Sequence, residues 1–112
     1  MDAETVKQQV ARVCDIWIRE ADPEKIILFG SAARGQMTED SDLDFLVVWR
    51  GEGLPNNRRR AGYLMKVLPD DVTVPMDVIV MTPEQYRLET EEERTLTAMV
   101  ADEGKVVYER VA

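Results

Sequence analysis

Residues 25–49 read KIILFGSAARGQMTEDSDLDFLVVW. The run Lys25 to Phe29 is short, apolar and closed by Gly30, which predicts a buried strand. Leu43 to Trp49 is a second such run, bounded by the Gly51-Glu52-Gly53 breaker. Between them, GSAARGQMTEDS is polar and bears glycine, so it predicts a turn holding at most one or two helical turns. Two strands joined so closely begin a sheet, and the flanking sequence has to cover it.

Upstream, Val6, Val10, Val13 and Trp17 recur at helical spacing, and Cys14 and Ile18 widen the stripe. This predicts an amphipathic helix over residues 3–20, ended near Asp22-Pro23 because Pro23 lacks the N–H that continuation needs. Downstream of Pro55, Ala61, Leu64, Met65 and Leu68 give a helix with one face on the core. Val72 to Met81 predicts a third strand, and Pro75 puts at least that part on an edge or at a bulge. Thr82-Pro83-Glu84 supplies an N-cap and an N1 proline. The helix it opens is expected to run, with a break, to about Asp102, with Leu96, Met99 and Val100 forming the apolar face of its later part. Gly104 is a helix stop, and Lys105 to Tyr108 a short final strand. The order predicts an α/β fold, a small mixed sheet with helices packed on it, in a single domain spanning 1–112.

Composition narrows the chemistry. The 112 residues carry 14 Lys and Arg against 22 Asp and Glu, a net charge of −8. Such a surface repels phosphate backbones and anionic lipid, so neither direct nucleic-acid binding nor a membrane surface is expected. There is no histidine, which removes Ser-His-Asp and Cys-His catalysis and imidazole metal sites. A single cysteine, Cys14, excludes an internal disulfide and fits a reducing cytoplasm. No apolar run approaches the ~20 residues of a spanning helix, and MDAETVKQQV has no signal-peptide core. Chemistry here must use carboxylates, hydroxyls, arginines and bound metal.

Asp42 and Asp44 stand two apart at the start of the second strand, so their side chains share a face. Asp77 interrupts an otherwise apolar strand, and a buried unpaired carboxylate is costly, so it must have a partner, reach water or bind a cation. Three converging carboxylates repel one another unless a divalent cation neutralises them, and an all-oxygen donor set favours Mg²⁺ or Mn²⁺ over zinc. Gly30 allows a sharp turn and close approach of a ligand, and Ser31 offers a hydroxyl and a backbone N–H suited to anions. Arg34 follows within one turn, and a guanidinium clamps phosphate oxygens well. A polyphosphate bridged by metal would satisfy both halves at once.

Gly30-Ser31, ten residues, then Asp42-x-Asp44 resembles the signature of the DNA polymerase beta-type nucleotidyltransferases. The string LFGSAARGQMTEDSDLDFLVV is similar to their minimal nucleotidyltransferase branch, found in prokaryotic toxin–antitoxin operons beside HEPN-domain ribonucleases, and Asp77 in PMDVIVM matches the third family aspartate. The resemblance implies a polymerase-beta palm-like core and ATP as substrate. It implies two Mg²⁺ ions, with Mn²⁺ a possible substitute, held by Asp42, Asp44 and Asp77, and triphosphate held at Gly30, Ser31 and Arg34. Asp77 would also activate the attacking hydroxyl. It further implies transfer of AMP to a protein hydroxyl, a tyrosine of a cognate HEPN-type toxin, which would make this chain a cytoplasmic antitoxin, with a possible oligomer. Two other functions stay open: an antitoxin that neutralises by binding alone, with nucleotide as ligand, and a transferase acting on aminoglycoside-like small molecules. The second is disfavoured because 112 residues provide few walls for a pocket.

Simpler readings compete for single residues. An isolated D-x-D is a pair of solvated aspartates at a turn, and a lone Arg34 is a surface arginine. Arg58-Arg59-Arg60 opposes the dipole of the helix it starts, and reads as a solvated charge run or as a contact with phosphate or an acidic partner. Glu89 to Glu93 reads as a solvated helix face, and Trp17, Trp49 and Tyr63 as core packing.

Overall fold

A computed structural model describes residues 2–37, 41–92 and 95–111. Helix α1 (Ala3–Ala21) begins at Asp2, whose side chain accepts from the Thr5 N–H, and ends at Asp22 in the left-handed region. It buries Val6, Val10, Val13, Cys14 and Trp17 as expected, and also Ile16. Ile16 lies off the stripe read from the sequence.

Strand β1 (Lys25–Phe29) runs into a four-residue helix α2 (Gly30–Ala33), and β2 (Leu43–Val48) returns antiparallel beside β1. Trp49 falls just outside β2 and stacks on Tyr63, both half-buried, with ring centroids 5.6 Å apart. Asn56 caps α3 (Asn57–Lys66) through the Arg59 N–H. Leu64 is fully buried, while Met65 is 43% exposed and Leu68 lies past the helix end.

The third strand is shorter than the sequence suggested: β3 is Met76–Met81, and Val72 to Pro75 precede it. Pro75 has no N–H to give a ladder, but its carbonyl accepts from the Leu43 N–H at 2.9 Å, which starts the parallel β2–β3 pairing. The expected break splits the next helix into α4 (Pro83–Glu91), opened by a capping box of Thr82 and Gln85, and α5 (Leu96–Glu103). Met99 is 51% exposed and so contributes nothing to the apolar face expected of it. The Leu96 side chain, Glu93 and residues 38–40 of the turn lie outside the described residues. Gly104 ends α5, and β4 (Lys105–Glu109) completes the sheet.

The strand order is β3-β2-β1-β4, with β3 an edge strand as Pro75 implied. Alternation divides the sheet into two faces. One face turns Ile26, Leu28, Leu43, Phe45, Val47 and Val80 toward Val6, Val10, Val13, Cys14, Trp17 and Leu64. Trp17 joins the covering helices, its ring edge-on to Phe45 and its Nε1 donating to the Leu64 carbonyl at 2.8 Å. The opposite face carries a smaller cluster of Ile27, Leu46 and Val100, with Phe29, Ile79, Met81 and Tyr86 against it. Among the described residues, no helix is long and apolar enough to cross a membrane.

Candidate active site

The less covered face holds the carboxylates. On β2, Leu43, Phe45 and Val47 point to the main core, so Asp44 and Leu46 point away from it, and Asp42 shares their parity. Asp77 pairs in register with Asp44 across the parallel strands, and Asp44 pairs with Phe29 across the antiparallel ones. The end of β1, Asp44 and Asp77 therefore form a row across three adjacent strands, with Asp42 just before it.

Gly30 closes that row on the β1 side. Its φ of +71° is one that side chains rarely adopt. A Cβ there would run into Asp44 Oδ2 and come within 3.2 Å of Asp44 Cγ. The turn and the carboxylate thus share one space, and only glycine leaves room for both.

Exposure differs within the set. Asp42 and Asp77 are exposed, and Asp44 is half-buried. Asp77 meets its sequence requirement by reaching water, because β3 is at the sheet edge. Burial raises the Asp44 carboxyl above its ordinary range, and the negative charges of Asp77 and then Asp42 push it the same way. Arg34 opposes them, which places its charge within reach of the site. Arg34 is itself exposed, at the end of α2, and its Nε donates to Gln36 Oε1 at 3.2 Å.

Ser31 lies in the first turn of α2, where backbone N–H groups have no partner within the helix. Its hydroxyl donates to Met37 Sδ at 3.6 Å. A thioether is a weak acceptor, so a phosphate oxygen would displace it easily. Met37 carries no signal in the sequence that would have paired it with Ser31.

The donor set is all oxygen and suits Mg²⁺ or Mn²⁺ in kind. Among the described residues, no group of three or more acidic, cysteine or histidine side chains is arranged to hold a metal ion as it stands. Paired carboxylates that complete their coordination with substrate phosphates need no such cage. Cys14 lies on the other side of the sheet, where burial pushes its thiol up to about 12 and leaves it inert.

Arg60 departs from both readings of its triplet. Its guanidinium donates to the Gly51 carbonyl at 3.3 Å, the Leu54 carbonyl at 2.9 Å and Asn57 Oδ1 at 2.8 Å, holding the loop after β2. Arg58 and Arg59 are exposed. Glu89 also leaves the solvated face expected of it, accepting from the buried Thr97 hydroxyl at 2.5 Å.

Comparison with known proteins agrees with this architecture. No curated protein sequence matches the chain. A solved structure from Sulfolobus solfataricus, assigned by name to the nucleotidyltransferases, superposes with a TM-score of 0.65. It is 19% identical, and the match covers 96% of this chain and 84% of that one, a likeness of fold. The family profile described as nucleotidyltransferase domain matches residues 6–100, a span that contains Gly30, Ser31, Asp42, Asp44 and Asp77. By that match, the chain belongs to the nucleotidyltransferase domain family.

Proposed function

We propose that this chain is a metal-dependent nucleotidyltransferase that moves AMP from ATP to a protein hydroxyl, and that it acts as an antitoxin by modifying a tyrosine of a HEPN-type partner. The observation that carries the transferase reading is the row formed by the Gly30 turn, Asp44 and Asp77 on one sheet face. It sets an anion-holding turn at one end and a water-exposed carboxylate at the other, with a half-buried carboxylate between them.

In this reading the N–H groups at Gly30 and Ser31, the Ser31 hydroxyl and Arg34 hold the outer phosphates. Asp42 and Asp44 hold Mg²⁺ or Mn²⁺, with Asp77 completing the set. When bound, the cations neutralise the triphosphate and stabilise charge on the attacking and leaving oxygens. Asp77 accepts the proton of the acceptor hydroxyl. The hydroxyl oxygen bonds to the α-phosphorus, and the bond from that phosphorus to pyrophosphate breaks. Positioning and charge complementarity supply most of the acceleration.

The test is Asp77→Asn, which preserves shape and exposure. AMP transfer, read by mass spectrometry of a co-expressed partner, should fall about 10²–10⁴-fold with a much smaller change in ATP affinity. Toxin neutralisation in cells should fall with it. Neutralisation that survives when transfer is abolished would make this an antitoxin that works by binding alone.

A further inference from the structure

The two edges of the sheet are built differently. On β4 the register against β1 slips between Ile26 and Ile27, which leaves Val107 as an extra residue, and exposed Lys105 stands at the start of the strand. A bulge and an edge lysine both discourage a further chain from pairing. β3 has neither. It reads MDVIVM, pairs with β2 through six residues without a slip, and carries a single charge, the site carboxylate Asp77.

Hydrogen bonds on the inner side of β3 fix which of its backbone groups face outward. The Pro75 and Met81 carbonyls accept from the Leu43 and Trp49 N–H groups, both at 2.9 Å. By alternation Pro75, Asp77, Ile79 and Met81 turn their backbone groups toward β2. Met76, Val78 and Val80 therefore turn N–H and C=O outward, where no strand lies among the described residues. An antiparallel strand added there would bond to those three residues. Its residue opposite Asp77 then falls in a non-hydrogen-bonded pair, in which facing Cα atoms come to about 4.5 Å and side chains are closest.

Side-chain length selects what can react from that position. Neighbouring strands lie about 4.8 Å apart, so a serine or threonine hydroxyl, one bond from its Cβ, stays over the added strand. A tyrosine ring carries its oxygen across to exposed Asp77 and the row beyond it. The net charge of −8 favours a segment with lysine or arginine near the tyrosine.

We infer that the acceptor protein docks by adding an extended, basic, tyrosine-bearing segment to the outer edge of β3, with the tyrosine opposite Asp77. Main-chain bonds to Met76, Val78 and Val80 hold the segment, as in other cases of strand addition. This rests on the transferase reading given above: the tyrosyl oxygen bonds to the α-phosphorus, its proton passes to Asp77, and pyrophosphate leaves. The test uses ATP, Mg²⁺ and synthetic peptides of about nine residues, long enough to span β3. Each has a central tyrosine flanked by valine and threonine, with a lysine at each end. AMP addition is read by mass spectrometry. Docking is read from the amide resonances of Met76, Val78 and Val80, which should shift and exchange more slowly. N-methylation of either residue next to the tyrosine removes a bond to Val78 or Met76, and should cut labelling about tenfold or more. N-methylation of the tyrosine itself, whose N–H faces away from β3, should leave labelling within about twofold of the parent peptide. Labelling indifferent to the position of the methyl group, or β3 amides that the peptide does not move, overturns the strand docking and leaves the transferase reading untouched. Docking that follows the methylation pattern without AMP transfer, in a protein that binds ATP, overturns the transferase reading and the acceptor role of the segment with it.

Discussion

The space that a side chain on Gly30 would fill is taken by the carboxylate of Asp44. The carboxylate keeps that place only because residue 30 carries no side chain.

Gly30→Ala should therefore cost more than its backbone strain. Gly35 is the control, with a φ of +69° and open space for at least 4 Å around the position a Cβ would take. Gly35→Ala should lose only about 1 kcal/mol of stability for the left-handed conformation. Gly30→Ala should lose more in urea denaturation, and its metal-dependent ATP affinity should fall at least about tenfold, a loss of about 1.4 kcal/mol or more. Equal effects of the two substitutions would show that the Asp44 carboxylate moves aside freely.

Asp44 has a second consequence. Its folded-state pKa is raised by burial and by Asp77 and Asp42, so ionising it opposes folding. That destabilisation is fully present above the folded-state pKa and fades as pH falls through it toward the unfolded value. In EDTA at neutral pH, Asp44→Asn should melt a few degrees higher than the parent. The difference should shrink on acidification from pH 7 to pH 4, which thermal scans of both proteins would follow. A difference that grows on acidification would reverse the sign of the effect.

Trp17 ties α1 to α3 through its bond to the Leu64 carbonyl. Trp17→Phe keeps an aromatic ring but removes that donor, and should cost about 1–3 kcal/mol because the carbonyl is left unpaired in the core. The measurement is chemical denaturation followed by circular dichroism, which is insensitive to the lost indole.

The arginine triplet should divide. Arg60→Ala removes contacts to two carbonyls and to Asn57, and should cost about 1–3 kcal/mol. Arg58→Ala and Arg59→Ala, at exposed positions, should each stay within about 0.5 kcal/mol of the parent. A large effect at Arg58 or Arg59 would point to a structural contact on that surface.

Much of this was legible in the sequence where local chemistry is decisive. KIILF closes on Gly30 as a strand must, Thr82-Pro83 caps a helix, and the spacing of Asp42 and Asp44 fixes their common face. What escaped the sequence depends on distant partners. Val72 to Val74 are as β-prone as the strand they precede, and only the register set by Leu43 on the Pro75 carbonyl excludes them. Met65 and Met99 fit a helical apolar face but look outward, because which stripe is covered depends on where the sheet lies. The Gly30–Asp44 exclusion and the Glu89–Thr97 bond join residues that no local pattern links.

The strand order also bears on how the chain assembles itself. The Gly30 turn and Asp42 belong to the connection between two neighbouring central strands, and Asp44 lies in the first turn-proximal pair of the second, so short-range closure can bring them together early. Asp77 arrives only after α3 has crossed over, and β4 then adds to the opposite edge, away from the carboxylates. A chain growing from its N-terminus can thus shape its anion-holding half before the residue that completes the reaction has been made. Changes confined to the last strand would loosen the β1 edge while leaving the row of aspartates in register.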